Sequence, residues 1–299
     1  MSVRKEGQRG AAEGSAAWTI QRTLVWTTKH FAAKQLDAPR LTGELLLGHA
    51  LGLTRLQLFM DLQRPLEAAE LARFRALVQQ RSARIPTQHL LGSVDFYGRK
   101  FTTDRRALIP RPETELLVEQ CLARLPQTAT RFLEIGPGSG VIAVSLLAER
   151  PALGAVAIEL SPEAVALTRE NANALGVAAR LELRQGDLFA PLRTGECFDL
   201  LVANPPYVPS GALATLQPEV RDHDPRIALD GGSDGLALLR RLIAGAPSAI
   251  VPGGLLALEI GDDQGPAVAA LMKTAGFASA TISKDYAELD RMAFAVAVT

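Results

Sequence analysis

The chain is poor in the residues that mark several common classes of protein. Its 299 residues include two cysteines and four histidines, so we expect neither a disulfide framework nor a metal site. Cys121 and Cys197 both lie in apolar stretches, which predicts that each is a small core residue. No apolar run approaches the roughly 18 residues needed to span a bilayer, and the first residues lack the apolar segment of a signal peptide. These absences favour a cytoplasmic protein that does not enter a membrane.

An excess of charge of either sign is also missing. The chain has 32 Lys+Arg and 32 Asp+Glu, and 47% of its residues are hydrophobic. A neutral chain does not favour tight, stable binding to nucleic acid, which depends on neutralising phosphates, whereas this hydrophobic fraction is ordinary for a globular protein. Its length exceeds the usual domain size of about 100–200 residues. We therefore expect two unequal domains, in a chain that works as a monomer.

The spacing of apolar residues changes along the chain. Residues 1–14 are polar and aperiodic, which predicts a disordered leader. Residues 15–88 repeat apolar side chains every three or four positions and predict an N-terminal helical domain. Residues 89–109 predict a β-hairpin linker. Residues 110–299 form the second predicted domain, which begins with a helix near Pro112.

In this second domain, strand-like runs alternate with helical ones. The alternation predicts an α/β fold with a seven-stranded, mostly parallel sheet covered by helices on both faces. The short connection before the last strand predicts that this strand is antiparallel. The predicted strands are 131–135, 155–160, 181–185, 198–203, 254–260, 278–283 and 293–298, and the helices between them include 141–150, 162–175, 236–246 and 265–275.

Glycines and acidic residues follow the first three predicted strands, where ligands of open α/β sheets bind. Glu134 precedes a loop in which glycine lets the backbone pass close to a ligand. Glu159 ends the second strand at a spacing suited to a ribose hydroxyl pair. Asp187 follows the third strand and could accept from an adenine amine, while Leu188 or Phe189 covers the ring. The loop residues are Gly136, Pro137, Gly138, Ser139 and Gly140.

The loop spacing separates two kinds of cofactor. Its glycines give Gly-x-Gly-x-Gly and not the Gly-x-Gly-x-x-Gly of nicotinamide and flavin sites, which favours S-adenosylmethionine, with S-adenosylhomocysteine as product. A structural role for each acid remains open at this point. Glu134 and Glu159 could be solvated strand ends, and Asp187 could be a turn former.

The fourth strand is followed by Asn204-Pro205-Pro206-Tyr207, the most informative segment of the chain. The prolines fix φ and remove two backbone donors, which leaves carbonyl acceptors beside the Asn side chain and an aromatic ring. Such a corner complements a planar NH2 group, so we predict that all four residues act in catalysis and substrate binding, with Asn204 also near the cofactor. An ordinary turn is the alternative interpretation.

Three segments together resemble the HemK/PrmC family of protein-(glutamine-N5) methyltransferases. They are residues 84–92 (Arg-Ile-Pro-Thr-Gln-His-Leu-Leu-Gly), residues 108–115 (Leu-Ile-Pro-Arg-Pro-Glu-Thr-Glu) and residues 204–207. The resemblance covers residues 17–299 and implies a class I, Rossmann-like methyltransferase domain that uses S-adenosylmethionine. It also implies that the substrate is the glutamine of the Gly-Gly-Gln motif in bacterial peptide chain release factors, and that the helical domain helps to dock this protein.

The chain departs from the family pattern at two positions. Leu188 stands where an aromatic residue is common, and Asp224-Pro225 stands where Glu-Pro is common. Arg111, Glu113 and Thr114 could line the pocket or belong to a domain junction. His223 could assist catalysis, but a polar role in its loop is favoured.

Two other functions stay open: adenine-N6 methylation of nucleic acid, where a flipped adenine offers the same planar amine, and cofactor binding without catalysis.

Overall fold

The computed structural model describes residues 17–298, so the predicted leader at 1–14 lies outside the described residues. The chain divides into two compact units between Leu90 and Leu91. Among the described residues, no helix is both long enough and apolar enough to cross a membrane.

The first unit is a bundle of helices, as the spacing of its apolar residues predicts. Thr19 caps the first helix by accepting from the Arg22 N–H. Thr54 and Gln57 form a reciprocal capping box at the third helix. The fully buried side chains that hold the bundle together include Phe31, Leu46 and Phe74. The helices are α1 (Ile20–Ala33), α2 (Pro39–Leu51), α3 (Arg55–Met60), α4 (Ala68–Ser82) and α5 (Thr87–Leu91).

A β-hairpin opens the second unit and is part of it. Strands β1 (Ser93–Phe96) and β2 (Arg99–Thr102) pair antiparallel through a two-residue turn, in which Tyr97 and Gly98 both have positive φ. Phe96 and Phe101 are buried in the core of this unit. The predicted hairpin is therefore present, and these two side chains anchor it to the second unit.

The main sheet has seven strands in the order β5-β4-β3-β6-β7-β9-β8. Strand β9 is antiparallel to both of its neighbours, as predicted for the last strand. The other pairings are parallel. The strands are β3 (Arg131–Ile135), β4 (Gly154–Glu159), β5 (Leu181–Gln185), β6 (Phe198–Ala203), β7 (Ile250–Glu259), β8 (Ala280–Lys284) and β9 (Asp290–Val296).

Helices cover both faces of this sheet. Alternate residues of β6 divide between two apolar clusters, with Leu200 and Val202 in one and Leu201 and Ala203 in the other. The first cluster also holds side chains of α6 and α7, and the second holds those of α10 and α11. The helices of this unit are α6 (Pro112–Arg124), α7 (Val141–Glu149), α8 (Pro162–Ala174), α9 (Pro218–Arg221), α10 (Ala237–Gly245) and α11 (Gly265–Thr274).

The two cysteines differ in environment, and for one of them the sequence prediction is wrong. Cys121 on α6 is buried, as expected, whereas Cys197 is exposed just before β6. Its sulfur lies 3.7 Å from the Ser248 carbonyl oxygen. An apolar neighbour in sequence, Phe198, turns into the core while the preceding residue faces outward, since successive side chains of a strand point to opposite faces.

This difference predicts how the two thiols react. Burial raises the pKa of the Cys121 thiol, so its reactive thiolate is both scarce and inaccessible. A thiol reagent should modify one cysteine per folded chain and both in denaturant, measured by absorbance of the released chromophore. Cys197→Ser should leave no fast-reacting thiol. Rapid modification of this variant in its folded state would contradict the buried placement of Cys121.

Candidate active site

The parallel register brings four strand ends into one row. Ile135 of β3 pairs with Ile158 of β4 on one side and with Ala203 of β6 on the other. The next residue along each strand is therefore Gly136, Glu159 or Asn204, all at the same edge of the sheet. These three residues line one cavity, together with Asp187 and Leu188 from the end of β5. The predicted cofactor residues at these strand ends thus share one cavity with Asn204.

The glycine-rich loop turns around the Glu159 carboxylate. Oε2 of Glu159 accepts the Gly138 N–H at 3.0 Å, and Oε1 accepts the Ser161 N–H at 2.9 Å. Each carboxylate oxygen has further lone pairs, so both remain able to accept from a ribose hydroxyl. Gly140 has φ of +83°, and a Cβ there would lie 2.8 Å from Cγ2 of Thr168. The tight loop therefore requires glycine at position 140.

Glu134 is fully buried below this loop, which excludes the interpretation that it is a solvated strand end. Its Oε2 accepts the Ala143 N–H at 2.9 Å and so holds the start of α7. Oε1 has no hydrogen-bond partner among the described residues. Burial raises the pKa of Glu134 to about 8. The side chain stabilises the loop from within the core and does not line the cavity.

The end of β5 contributes an acid and an apolar surface. Asp187 uses Oδ2 to bind Arg241 at 2.6 Å, a partly exposed ion pair. Leu188 is buried and lines the cavity. Phe189, the alternative cover for an adenine ring, lies instead against Gly245, where an added Cβ would come within 2.4 Å of the Phe ring. Leu188 and the exposed Leu160 are thus among the apolar groups that line the cavity and could cover an adenine, as are Ile227 and Leu238.

The Asn204 side chain is held by a buried hydrogen-bond chain. Its Nδ2 donates to Oγ1 of Thr114 at 3.2 Å, and that hydroxyl donates to Oε2 of Glu259 at 2.7 Å. Pro205 and Pro206 line the cavity beside it. Tyr207 does not line the cavity and packs with the second apolar cluster. Burial, followed by the nearby Glu259, raises the pKa of Tyr207 to about 12.

The Pro-Arg-Pro segment, residues 110–112, is hydrogen-bonded to the loop region that follows Asn204. Asp224 accepts from the Arg111 guanidinium at 2.7 Å and from the Ile109 N–H at 3.2 Å. Burial raises the pKa of Asp224, although the Arg111 charge opposes this shift. Arg111 and Thr114 line the cavity, whereas Glu113 and His223 do not.

Comparison with known proteins identifies the family. Residues 22–92 match the PrmC N-terminal domain, and residues 112–217 match the methyltransferase small domain. A release factor glutamine methyltransferase of Geobacter sulfurreducens is 44% identical, with 92% of this chain and 95% of that protein covered. A release factor glutamine methyltransferase of Cereibacter sphaeroides is 45% identical, with 87% of this chain and 92% of that protein covered. The chain belongs to the release factor glutamine methyltransferase family.

Solved structures show how widely this fold is shared. A methyltransferase from Pyrococcus furiosus is 17% identical, with a TM-score of 0.54 over 74% of this chain and 100% of the other. The hMettl16 catalytic domain, in complex with an RNA hairpin, is 14% identical and has a TM-score of 0.56. The match covers 67% of this chain and 75% of that domain. At these identities the likeness shows the fold alone, which is that of class I methyltransferases.

The cavity suits the cofactor of these enzymes. A bare glycine backbone, a carboxylate beside it and flanking leucines match the amino acid, ribose and adenine parts of S-adenosylmethionine. Glu259 and Asp224, which hold the transfer half of the site in place, are missing from the sequence prediction of the site. Glu259 is the last residue of β7, as Glu159 is the last residue of β4, so a search for acids at the end of the fifth predicted strand would have found it.

Substitution of Gly140 tests the loop. Gly140→Ala places a Cβ against Thr168 in a backbone conformation that side chains avoid, and should lower the free energy of unfolding by about 2–3 kcal/mol. Binding of S-adenosylmethionine should weaken at least tenfold. Urea denaturation and calorimetric titration measure the two effects.

Gly176→Ala is the matched control, because Gly176 has φ of +72° and no atom of residues 17–298 lies within 4 Å of an added Cβ. It should lose about 1 kcal/mol from backbone strain and bind the cofactor normally. Equal behaviour of the two variants would show that the contact with Thr168 is unimportant.

Proposed function

We propose that the protein transfers a methyl group from S-adenosylmethionine to the side-chain amide nitrogen (N5) of the glutamine in the Gly-Gly-Gln motif of bacterial peptide chain release factors. The observation that supports this most is the position of Asn204-Pro205-Pro206 in the same cavity as the glycine loop and Glu159. The family agrees with this function, because its members are named as release factor glutamine methyltransferases.

The corner at Asn204 fits a primary amide. When bound, S-adenosylmethionine supplies a methyl group on a positively charged sulfur. With Nδ2 of Asn204 donating to Thr114, Oδ1 remains as an acceptor for one substrate N–H, and the Pro205 carbonyl is available for the other. Two fixed acceptors hold the amide plane still and orient its nitrogen. Positioning of this kind can contribute about 7–11 kcal/mol to lowering a barrier.

The same acceptors stabilise charge during transfer. An amide nitrogen is a poor nucleophile because its lone pair is delocalised into the carbonyl, and it becomes positively charged as the new N–C bond forms. Preorganised acceptors on both N–H groups stabilise that charge. The methylated nitrogen then loses a proton to water, so a strong general base is not required. Tyr207, with its raised pKa, remains neutral and lies behind this corner as packing.

The remaining assignments concern the partner and the setting. We propose that the helical unit, which matches the PrmC N-terminal domain, helps to dock the release factor. We further propose a monomeric enzyme of the cytoplasm that forms no stable complex with nucleic acid or membrane. The equal numbers of acidic and basic residues are consistent with a protein substrate.

Methyl transfer from labelled S-adenosylmethionine tests the proposed function. A purified bacterial release factor should accept label, whereas the same factor with Gln→Ala in its Gly-Gly-Gln loop and adenine-containing DNA should not. Label on DNA would favour adenine methylation. Cofactor binding with no labelled substrate would favour a role without catalysis.

Asn204→Ala removes one acceptor and should lower kcat by about 100- to 1,000-fold while S-adenosylmethionine still binds. Asn173→Ala, at an exposed position on α8, should leave kcat unchanged. Single-turnover assays and calorimetry measure the pair. A kcat for Asn204→Ala within threefold of the wild-type value would remove Asn204 from the mechanism.

A further inference from the structure

Glu259 is a buried carboxylate directly beside the transfer corner. The pairing of Ala203 with Leu258 places the next residues, Asn204 and Glu259, side by side at the carboxyl ends of β6 and β7. Glu259 is 1% exposed. It does not line the cavity, so it reaches the site through other side chains.

The direction of its hydrogen bonds determines how the Asn204 amide is turned. A threonine hydroxyl has one proton, and Thr114 gives that proton to Oε2 of Glu259. Its oxygen can then only accept from Asn204, which must present Nδ2 to it. With Nδ2 held on this side, Oδ1 is the atom left for a substrate.

We propose that Glu259, through Thr114, is the positioning residue that makes Asn204 present its amide oxygen, and not its NH2 group, to the substrate amide. This inference rests on the proposed function. An NH2 group at that place would face the N–H groups of the substrate, donor against donor. The orientation of the Asn204 amide therefore decides whether the substrate amide can bind in the corner.

Protonation of Glu259 would remove the constraint. A protonated carboxyl can donate to Thr114, which then donates its own proton to Asn204 and favours the opposite amide orientation. Burial raises the pKa of Glu259 to about 7, with Thr114 and the Arg291 charge lowering it and Glu113 raising it. Tyr207 also faces this carboxylate. The oriented form therefore predominates above about pH 7 and is lost as the pH falls.

The experiment measures kcat and KM of the full-length enzyme as a function of pH, with a purified release factor as substrate. Wild-type kcat should fall on the acid side of about pH 7. Glu259→Gln should lower kcat by about 10- to 100-fold, as expected for a misplaced group, with KM for S-adenosylmethionine nearly unchanged. The acid limb, which is the fall of kcat below about pH 7, should be absent from this variant. A glutamine does not titrate, and it can either donate to Thr114 or accept from it.

Two substitutions at Thr114 test the connection independently of Glu259. Thr114→Val keeps the shape but removes the hydroxyl, and should lower kcat as Glu259→Gln does. Thr114→Ser restores a hydroxyl and should recover most of the rate and the acid limb. Glu196→Gln is a matched control, since Glu196 is a little-exposed acid that binds Arg131 and Arg184 and precedes β6, whereas Asn204 follows the other end of that strand. It should leave the pH profile of kcat unchanged.

The outcomes separate this inference from the proposed function. If the wild-type enzyme methylates no release factor, the proposed function is wrong. If it does so, and both Glu259→Gln and Thr114→Val keep the wild-type kcat and acid limb, the positioning role of Glu259 is overturned. Calorimetric binding of S-adenosylmethionine to each variant shows that it is folded.

Discussion

The parallel pairing of β4, β3, β6 and β7 is the constraint on which the site depends. Parallel strands in register end at the same level, so residues far apart in sequence become neighbours without any loop having to bring them together. Gly136, Glu159, Asn204 and Glu259 all occupy the row beyond the last paired residues or close to it. A shift of one residue in a single pairing would turn that strand's side chains to the opposite face and would disconnect cofactor residues from transfer residues.

Two buried carboxylates, Glu134 and Glu259, lie within this otherwise apolar framework. Burying an acid is unfavourable unless its oxygens find donors. Among the described residues, Glu134 has one backbone donor and one oxygen without a partner, whereas Glu259 accepts from the Thr114 hydroxyl on α6. Both raised pKa values reflect the same desolvation. The burial of each acid lowers the stability of the fold. In return, Glu134 fixes the shape of the glycine loop, and we infer that Glu259 fixes the orientation of the Asn204 amide.

Much of the fold follows from local sequence. Apolar runs bounded by turn residues gave β3, β5 and β6 with their observed limits, because each is a short buried strand between clear breaks. Strand β7 begins four residues before its prediction, since Pro252 and Gly253 interrupt its pairing with β6 between Ile250 and Leu255. Local patterns cannot show a strand that resumes after an irregularity.

The site was less predictable than the fold. The glycine loop, Glu159 and the Asn204 segment carry signals within a few residues, and the structure brings them together. The contacts of Thr114 with Glu259, of Arg111 with Asp224 and of Asp187 with Arg241 join residues 54 to 145 positions apart. Such pairs depend on tertiary packing, so the sequence around one residue does not identify its partner.

The ion pair between Arg111 and Asp224 has a consequence for how the enzyme is made. Its two residues lie 113 positions apart, and Glu259 comes later still. A chain leaving the ribosome therefore contains the glycine loop and the β4 carboxylate well before it contains the residues that complete the transfer corner. Because β3 also pairs with β6, and residues up to Leu238 line the cavity, the site is completed only after most of this domain has been synthesised.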